Sequence, residues 1–159
     1  AGKNVVWLIE QFVQHHNDDE YLIVLGQGEK EADCRAVADD HVKILGFQID
    51  PVAYMKISDV YISASKSEGF SISVLEALSA GLGLFLSDIP SHREVIEIES
   101  DIYIGELFTE DSFDEKMKIL RNHLFEKSKI SDFQHENISA KTMTTNYKMI
   151  YEQILGREN

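Results

Sequence analysis

The stretch VYISASKSEGFSISVLEALSAGLGLFL, residues 60–86, contains an apolar run, a turn, a helical pattern and a second apolar run. Residues 60–64 are predicted to form a strand, and residues 71–80 a helix that the following glycines end. Residues 84–86 are predicted to form the next strand. Both strand segments are continuously apolar, which is typical of a parallel sheet covered by helices on both faces.

The same alternation of strands and helices continues on both sides of this unit. Strands are predicted at residues 21–25, 42–45 and 102–104, and helices at residues 4–14, 30–40, 51–57, 91–96, 113–125 and 139–155. Strands that alternate with helices indicate an α/β fold with a doubly wound parallel sheet, Rossmann-like and in a single domain. Because the first helix has no strand before it, we expect the domain to be truncated at its amino terminus.

Composition excludes several classes of function. The net charge of −13 opposes binding to nucleic acid and to anionic lipid. No apolar run approaches the roughly 18 residues that span a bilayer, and no signal peptide is recognisable. The single cysteine, Cys34, cannot form an internal disulfide, which fits a reducing compartment. We therefore expect a cytoplasmic domain, and nothing in this part of the protein indicates membrane association.

Two carboxylates frame the helix of the opening stretch. Glu76 is the only charged residue among residues 69–87, and a carboxylate in apolar surroundings is costly to bury without a partner. Either it lies on a narrow exposed strip, or it has a ligand or polar group to meet. Glu68 stands in the turn before the helix, followed by Gly69, which permits a tight turn or a close backbone approach.

The first turn of this helix offers free backbone donors. Amides at a helix N-terminus lack a partner within the helix and favour phosphate groups. The residues concerned are Phe70, Ser71, Ile72 and Ser73. A ligand with hydroxyl groups at both ends and phosphates between them would meet both carboxylates and these amides. A nucleotide sugar has this shape.

The stretch also resembles a known sequence element, the E-x7-E run of the family 4 glycosyltransferases. The usual run is close to E-G-F-G-x-x-x-L-E-A-x-A-x-G-x-P, and residues 68–83 read EGFSISVLEALSAGLG. Other pieces of the family pattern match in the same order: Lys3 with the helix after it, LGQG at 25–28, LGF at 45–47, SDVY at 58–61 and the closing Y-x-x-x-Y helix at 147–155. The resemblance covers nearly the whole chain. Ser71 and Gly83 depart from it, replacing a glycine and a proline.

This resemblance implies the C-terminal, donor-binding half of an enzyme with the two-domain GT-B fold. Residues 1–159 would form that half, and the acceptor-binding N-terminal domain would be a separate part of the enzyme and its partner. The implied reaction is a retaining transfer from a nucleotide sugar to an acceptor, as in polysaccharide or glycoconjugate synthesis, with no metal and no cofactor. The chain alone is expected to be inactive.

The resemblance also assigns roles to individual residues. Glu68 would bind hydroxyl groups of the donor sugar, and Lys3 would neutralise the departing diphosphate. Glu76 would bind the ribose hydroxyls, while Phe47 and Gln48 would edge the base. The amides of Phe70, Ser71, Ile72 and Ser73 would meet the diphosphate, and Gly69, in the turn before them, would also belong to the donor-binding site.

Other readings of the sequence remain as alternatives. The main one is a non-catalytic α/β nucleotide-binding or regulatory module, which the paired glutamates beside a phosphate-ready helix start disfavour. The run from Gly26 to Gly28 lacks the third glycine of a dinucleotide site. His15 and the histidine after it lack metal-ligand spacing. We expect Arg93 to pair with Glu97, four residues along its helix, in preference to a phosphate.

Overall fold

The computed structural model describes residues 2–155, apart from the side chains of four residues in the last helix. The elements in chain order are α1 Val5–His15, β1 Leu22–Leu25, α2 Glu31–Val37, β2 Val42–Gly46, α3 Pro51–Lys56, β3 Val60–Ser63, α4 Ile72–Ser79, β4 Gly83–Ser87, α5 Pro90–Ile96, β5 Gly105–Phe108, α6 Phe113–Arg121, α7 Lys127–Asn137 and α8 Ala140–Ile154. No helix within residues 2–155 combines the length and the apolar character needed to cross a bilayer.

The strands pair in parallel, as the continuous apolar runs predict. They form two hydrogen-bonded groups, β1–β2 and β3–β4–β5. The predicted α/β fold is therefore confirmed, but the expected single sheet is divided, because β1 and β3 do not pair with each other. Strand β4 has a partner on each side, and its residues 83–86 are all buried. Strand β3 has β4 on one side only, and its first three residues are half-buried.

Helices cover both faces of the three-stranded sheet. Successive side chains of a strand point to opposite faces, so each strand contributes to two cores. On β4, Phe85 joins the core formed with α1 and α6, whereas Leu84 and Leu86 join a second core. That second core is formed with α4, α5 and α7. Phe12 is buried in the first core and Trp7 packs against it half-buried, as their helical spacing indicates.

One predicted strand is misplaced. The run at residues 102–104 is irregular, and β5 begins at Gly105. Ile104 is buried in the second core, and its carbonyl accepts a hydrogen bond from the Leu84 amide at 2.8 Å. The ladder with β4 then starts at the pair Leu84 and Gly105. The apolar character of this run therefore comes from packing that precedes the strand.

The predicted helix at residues 113–125 is too long, and one helix was not predicted at all. Helix α6 ends at Arg121, and α7 follows as a separate element. Helix α7 is mostly polar and buries only Ile130 and Phe133, which is too weak a pattern to recognise from sequence. Both side chains pack into the second core, and α7 lies against α4.

Candidate functional site

The site predicted from the sequence lies in the loop between β3 and α4, at the carboxyl end of the sheet. Lys3 Nζ donates to Glu68 Oε1 at 2.6 Å, and Ser65 Oγ donates to the same oxygen at 2.5 Å. The side chain of Glu68 is 11% exposed, whereas that of Lys3 is 65% exposed. Burial raises the pKa of Glu68, but the hydrogen bonds from Lys3 and Ser65 outweigh it and hold this pKa below its ordinary value.

The segment before α1 is fastened to this loop by its backbone as well. The Lys66 amide donates to the Gly2 carbonyl at 2.9 Å. Asn4 follows in the left-handed conformation, with φ of 53°, which asparagine tolerates better than most residues. Its carbonyl accepts from the Leu8 amide at 3.1 Å and begins the helix. Lys3 is thus held opposite Glu68 by main-chain geometry on both sides.

Tyr61, on β3, is half-buried against the second core. Burial raises the pKa of this phenol, and the charges of Lys3, Glu68 and Glu76 all act on it. A hydrogen bond with Ser73 has the opposite effect and lowers the same pKa. The electrostatic influence of both glutamates therefore reaches Tyr61. The ring of Tyr61 packs in that core, as is usual for an aromatic residue in an apolar strand.

Glu76 occupies the middle of α4 and is half-buried. Among residues 2–155 no lysine, arginine or histidine forms an ion pair with it. The helix buries Val74, Ala77 and Leu78 in the second core, but Ile72 is 70% exposed. The expectation of a helix apolar and buried on nearly every side is therefore only partly correct. An unpaired carboxylate on its polar strip remains available to a ligand.

The turn before α4 is exposed on both sides of Ser71, which is itself buried. A side chain at Gly69 would meet nothing within 4 Å, and Phe70 is 45% exposed. Ser71 is the N-cap residue, but its hydroxyl makes no capping hydrogen bond and instead lies 3.3 Å from the hydroxyl of Ser73. The amides of residues 72 and 73 have no carbonyl partner in their own helix. These donors are the ones predicted to meet phosphate.

The predicted base-binding pair lies in a different part of the fold, in the loop after β2. The ring of Phe47 is 68% exposed. The side chain of Gln48 is occupied at both ends, because Nε2 donates to the Leu45 carbonyl at 2.9 Å and Oε1 accepts from the Tyr54 hydroxyl at 3.0 Å. No hydrogen bond joins this loop to residues 68–76 within the described range. Gln48 shapes its own loop, and contact with a base by Phe47 or Gln48 remains a prediction.

The pairing predicted for Arg93 is wrong. Its guanidinium binds the carboxylate of Asp88, with Nη2 2.8 Å from Oδ2 and Nε in contact with Oδ1. The bidentate geometry across the turn before α5 is stronger than a single contact with Glu97 along the helix. The Arg93 guanidinium also holds the pKa of Asp88 below its usual range. The guanidinium of Arg93 is therefore already paired with a carboxylate.

Comparison with known proteins assigns the family. Residues 1–122 match the family model of the glycosyl transferases group 1. The chain belongs to this family. The chain is similar to the GtfA subunit of the UDP-N-acetylglucosamine–peptide N-acetylglucosaminyltransferase of Limosilactobacillus reuteri subsp. suis, with 26% identity over 97% of the chain. The chain covers 32% of that protein's length.

Solved structures agree with the fold of this group 1 chain. It superimposes on the lipopolysaccharide outer core galactosyltransferase WaaB, in its apo form, with a TM-score of 0.79 and 22% identity, covering 96% of this chain and 46% of WaaB. A second neighbour is the pneumococcal O-GlcNAc transferase GtfA in complex with UDP and GlcNAc, with a TM-score of 0.72 and 21% identity, covering 97% of this chain and 34% of that one. The fold is that of one half of a GT-B glycosyltransferase.

Proposed function

We propose that this domain binds the nucleotide-sugar donor of a retaining, metal-independent glycosyltransferase. The observation that carries the proposal is the contact between Lys3 and Glu68 in the loop before α4, the helix that presents Glu76. A cation for the diphosphate and carboxylates for two sets of hydroxyl groups are the chemistry that a nucleotide sugar requires. The acceptor would be bound by a further domain of the longer protein.

In this proposal the bound donor replaces the contact between Lys3 and Glu68, and each residue of the pair binds a different part of the donor. Lys3 turns from Glu68 to the diphosphate, where its charge stabilises the departing group. Glu68 then accepts hydrogen bonds from sugar hydroxyls, and Ser65 keeps its carboxylate in place. The free amides at the start of α4 add donors to the phosphates. Glu76 receives the ribose hydroxyls.

The relatives favour a uridine nucleotide and a role in glycoconjugate synthesis. The related GtfA subunit belongs to an enzyme named for UDP-N-acetylglucosamine, and a structural neighbour is described in complex with UDP. The competing function is a regulatory module that binds a nucleotide without using its sugar. Such a module would not distinguish a nucleoside diphosphate from its sugar conjugate.

We expect a thermal-shift panel of UDP, GDP, ADP and their sugar conjugates to identify the ligand. A ligand at 100 times its Kd adds about 2.7 kcal/mol to the free energy of unfolding, which corresponds to a rise in Tm of roughly 5–10 °C for a domain of this size. The proposal requires this rise for at least one nucleotide sugar. If none of the compounds raises the Tm at millimolar concentration, donor binding by this domain is refuted.

Glu76→Gln is expected to weaken UDP and UDP-N-acetylglucosamine equally, because both carry the same ribose. The loss should be that of charged hydrogen bonds, roughly 1.5–3 kcal/mol. The free energy of unfolding should not fall, because no protein cation is lost and a half-buried charge is relieved. Calorimetric titration and thermal melting measure the two quantities. A drop in stability with unchanged affinity would instead assign Glu76 a structural role.

A further inference from the structure

The polar residues buried in this domain are concentrated around Glu68. In the part of the chain that the structure describes they are Ser63, Ser65, Ser71 and His92. Ser63 Oγ donates to Ser65 Oγ at 3.2 Å, and Ser65 in turn donates to Glu68. Ser71, in the same loop, also lowers the pKa of the Glu68 carboxyl. Three of the four therefore act on one carboxylate directly or through one neighbour.

The fourth, His92, reaches the same network through Ser87. His92 lies in the first turn of α5 and is 1% exposed. Its Nδ1 is 2.8 Å from the Ser87 carbonyl oxygen and 3.3 Å from Ser87 Oγ. Because a carbonyl only accepts, Nδ1 carries the proton. Ser87 Oγ then donates to the Ser65 carbonyl at 2.6 Å, so hydrogen bonds connect His92 to the residue that holds Glu68.

We propose that His92 is a positioning residue, which acts through Ser87 and Ser65 to hold Glu68 in place for the donor sugar. The effect of His92 on sugar binding rests on the proposed donor-binding function, whereas the link from His92 to Glu68 rests on the hydrogen bonds alone. This link joins α5 and the end of β4 to the loop after β3, and its bond from Ser87 to Ser65 spans 22 residues of sequence.

Stability alone does not account for a histidine at this place. Within residues 2–155 its Nε2 has no hydrogen-bond partner although it is buried, and such an atom costs free energy. Burial lowers the pKa of His92, and the nearby charges of Glu68 and Lys3 act on it in opposite directions. A neutral imidazole gives Ser87 its donor without adding a second cation that would compete with Lys3 for Glu68.

The test compares His92→Leu with His92→Asn, whose side-chain amide can replace the Nδ1–H donor. In His92→Leu we expect the pKa of the Glu68 carboxyl, followed by carbon-13 NMR, to rise towards that of an ordinary glutamate. We also expect the affinity for UDP-N-acetylglucosamine to fall roughly five- to tenfold, the value of one hydrogen bond, and the affinity for UDP to stay unchanged. His92→Asn should largely restore both.

Ser91→Ala is the matched control, because it removes a neighbouring buried hydroxyl that has no partner in the described residues. It should leave Glu68 unaffected. If His92→Leu does not fold, Ser87→Ala breaks the same connection and should shift the Glu68 pKa likewise. An unchanged Glu68 pKa in a folded His92→Leu or Ser87→Ala variant overturns the inference. A shifted pKa in a protein that binds no nucleotide sugar supports the link and refutes the donor-binding function.

Discussion

Glu68→Gln is expected to reduce the affinity for UDP-N-acetylglucosamine by roughly ten- to a hundredfold, while the affinity for UDP stays the same or rises. The carboxylate is the proposed acceptor for sugar hydroxyls, so its loss removes charged hydrogen bonds that UDP never makes. The affinity for UDP rises because Lys3 of the wild-type protein is bound to Glu68 at 2.6 Å. In the variant this lysine does not have to leave a charged partner before it meets the diphosphate. Calorimetric titration with both ligands measures the two changes.

The opposite responses to the two ligands separate this role from others. Glu76→Gln should weaken both ligands together, because the ribose is common to them. Glu110→Gln is the matched control, since it removes the same charge from an exposed residue whose ion pair, with Lys66 at 3.5 Å, lies on the surface. It should change neither affinity. If Glu68→Gln weakens UDP and its sugar conjugate equally, Glu68 does not bind the sugar.

The acid sensitivity of Glu68 follows from its lowered pKa. A folded-state pKa below the unfolded value of 4.5 means that the ionised group stabilises the fold above that pH. The contribution disappears as the pH falls through the folded-state pKa. Because Lys3 is two-thirds exposed, solvent screens the pair and its contribution to the free energy of unfolding is small. The main effect of Glu68→Gln should therefore be on binding.

Local sequence predicted the turn and the helix of the site correctly because their signals lie within a few residues. Glu68, Gly69 and the helix that follows form one continuous segment, and its apolar spacing gives the helix directly. The contacts that organise the site join distant segments. Lys3 meets Glu68 across 65 residues and Ser87 meets Ser65 across 22. A single sequence does not specify which serine or histidine completes such a network, so Ser65 and His92 were missed.

The errors in the fold have a related cause. The run at residues 102–104 is apolar because it packs beneath the sheet before β5 begins, and periodicity does not separate these two situations. For helix α7 the sequence signal is too weak, not misleading. The helix is mostly polar, and tertiary contacts with α4 supply the burial that its own sequence barely signals.

The contact between α4 and α7 depends on Gly81, which leads to a large expected effect on stability. Gly81 ends α4 with φ of +79°, a conformation that costs a residue with a side chain roughly 1–2 kcal/mol. A Cβ there would also lie 2.8 Å from Lys127 Cα and press on the Lys127 carbonyl. Since that neighbour is backbone, α7 must move as a whole, and overpacking of this kind costs roughly 1–3 kcal/mol.

Gly81→Ala should therefore lower the free energy of unfolding by roughly 2–5 kcal/mol, and the Tm by about 4–20 °C. Gly28→Ala is the control, because Gly28 has no positive φ and an added Cβ would meet nothing within 4 Å; its Tm should stay within about 2 °C of wild type. UDP affinity below the melting range should be unchanged in Gly81→Ala, because Gly81 lies at the end of α4 opposite to the proposed phosphate site. A Gly81→Ala variant that melts like Gly28→Ala would show that α7 yields without cost, and the close approach of α7 to α4 would then contribute little to the stability of the domain.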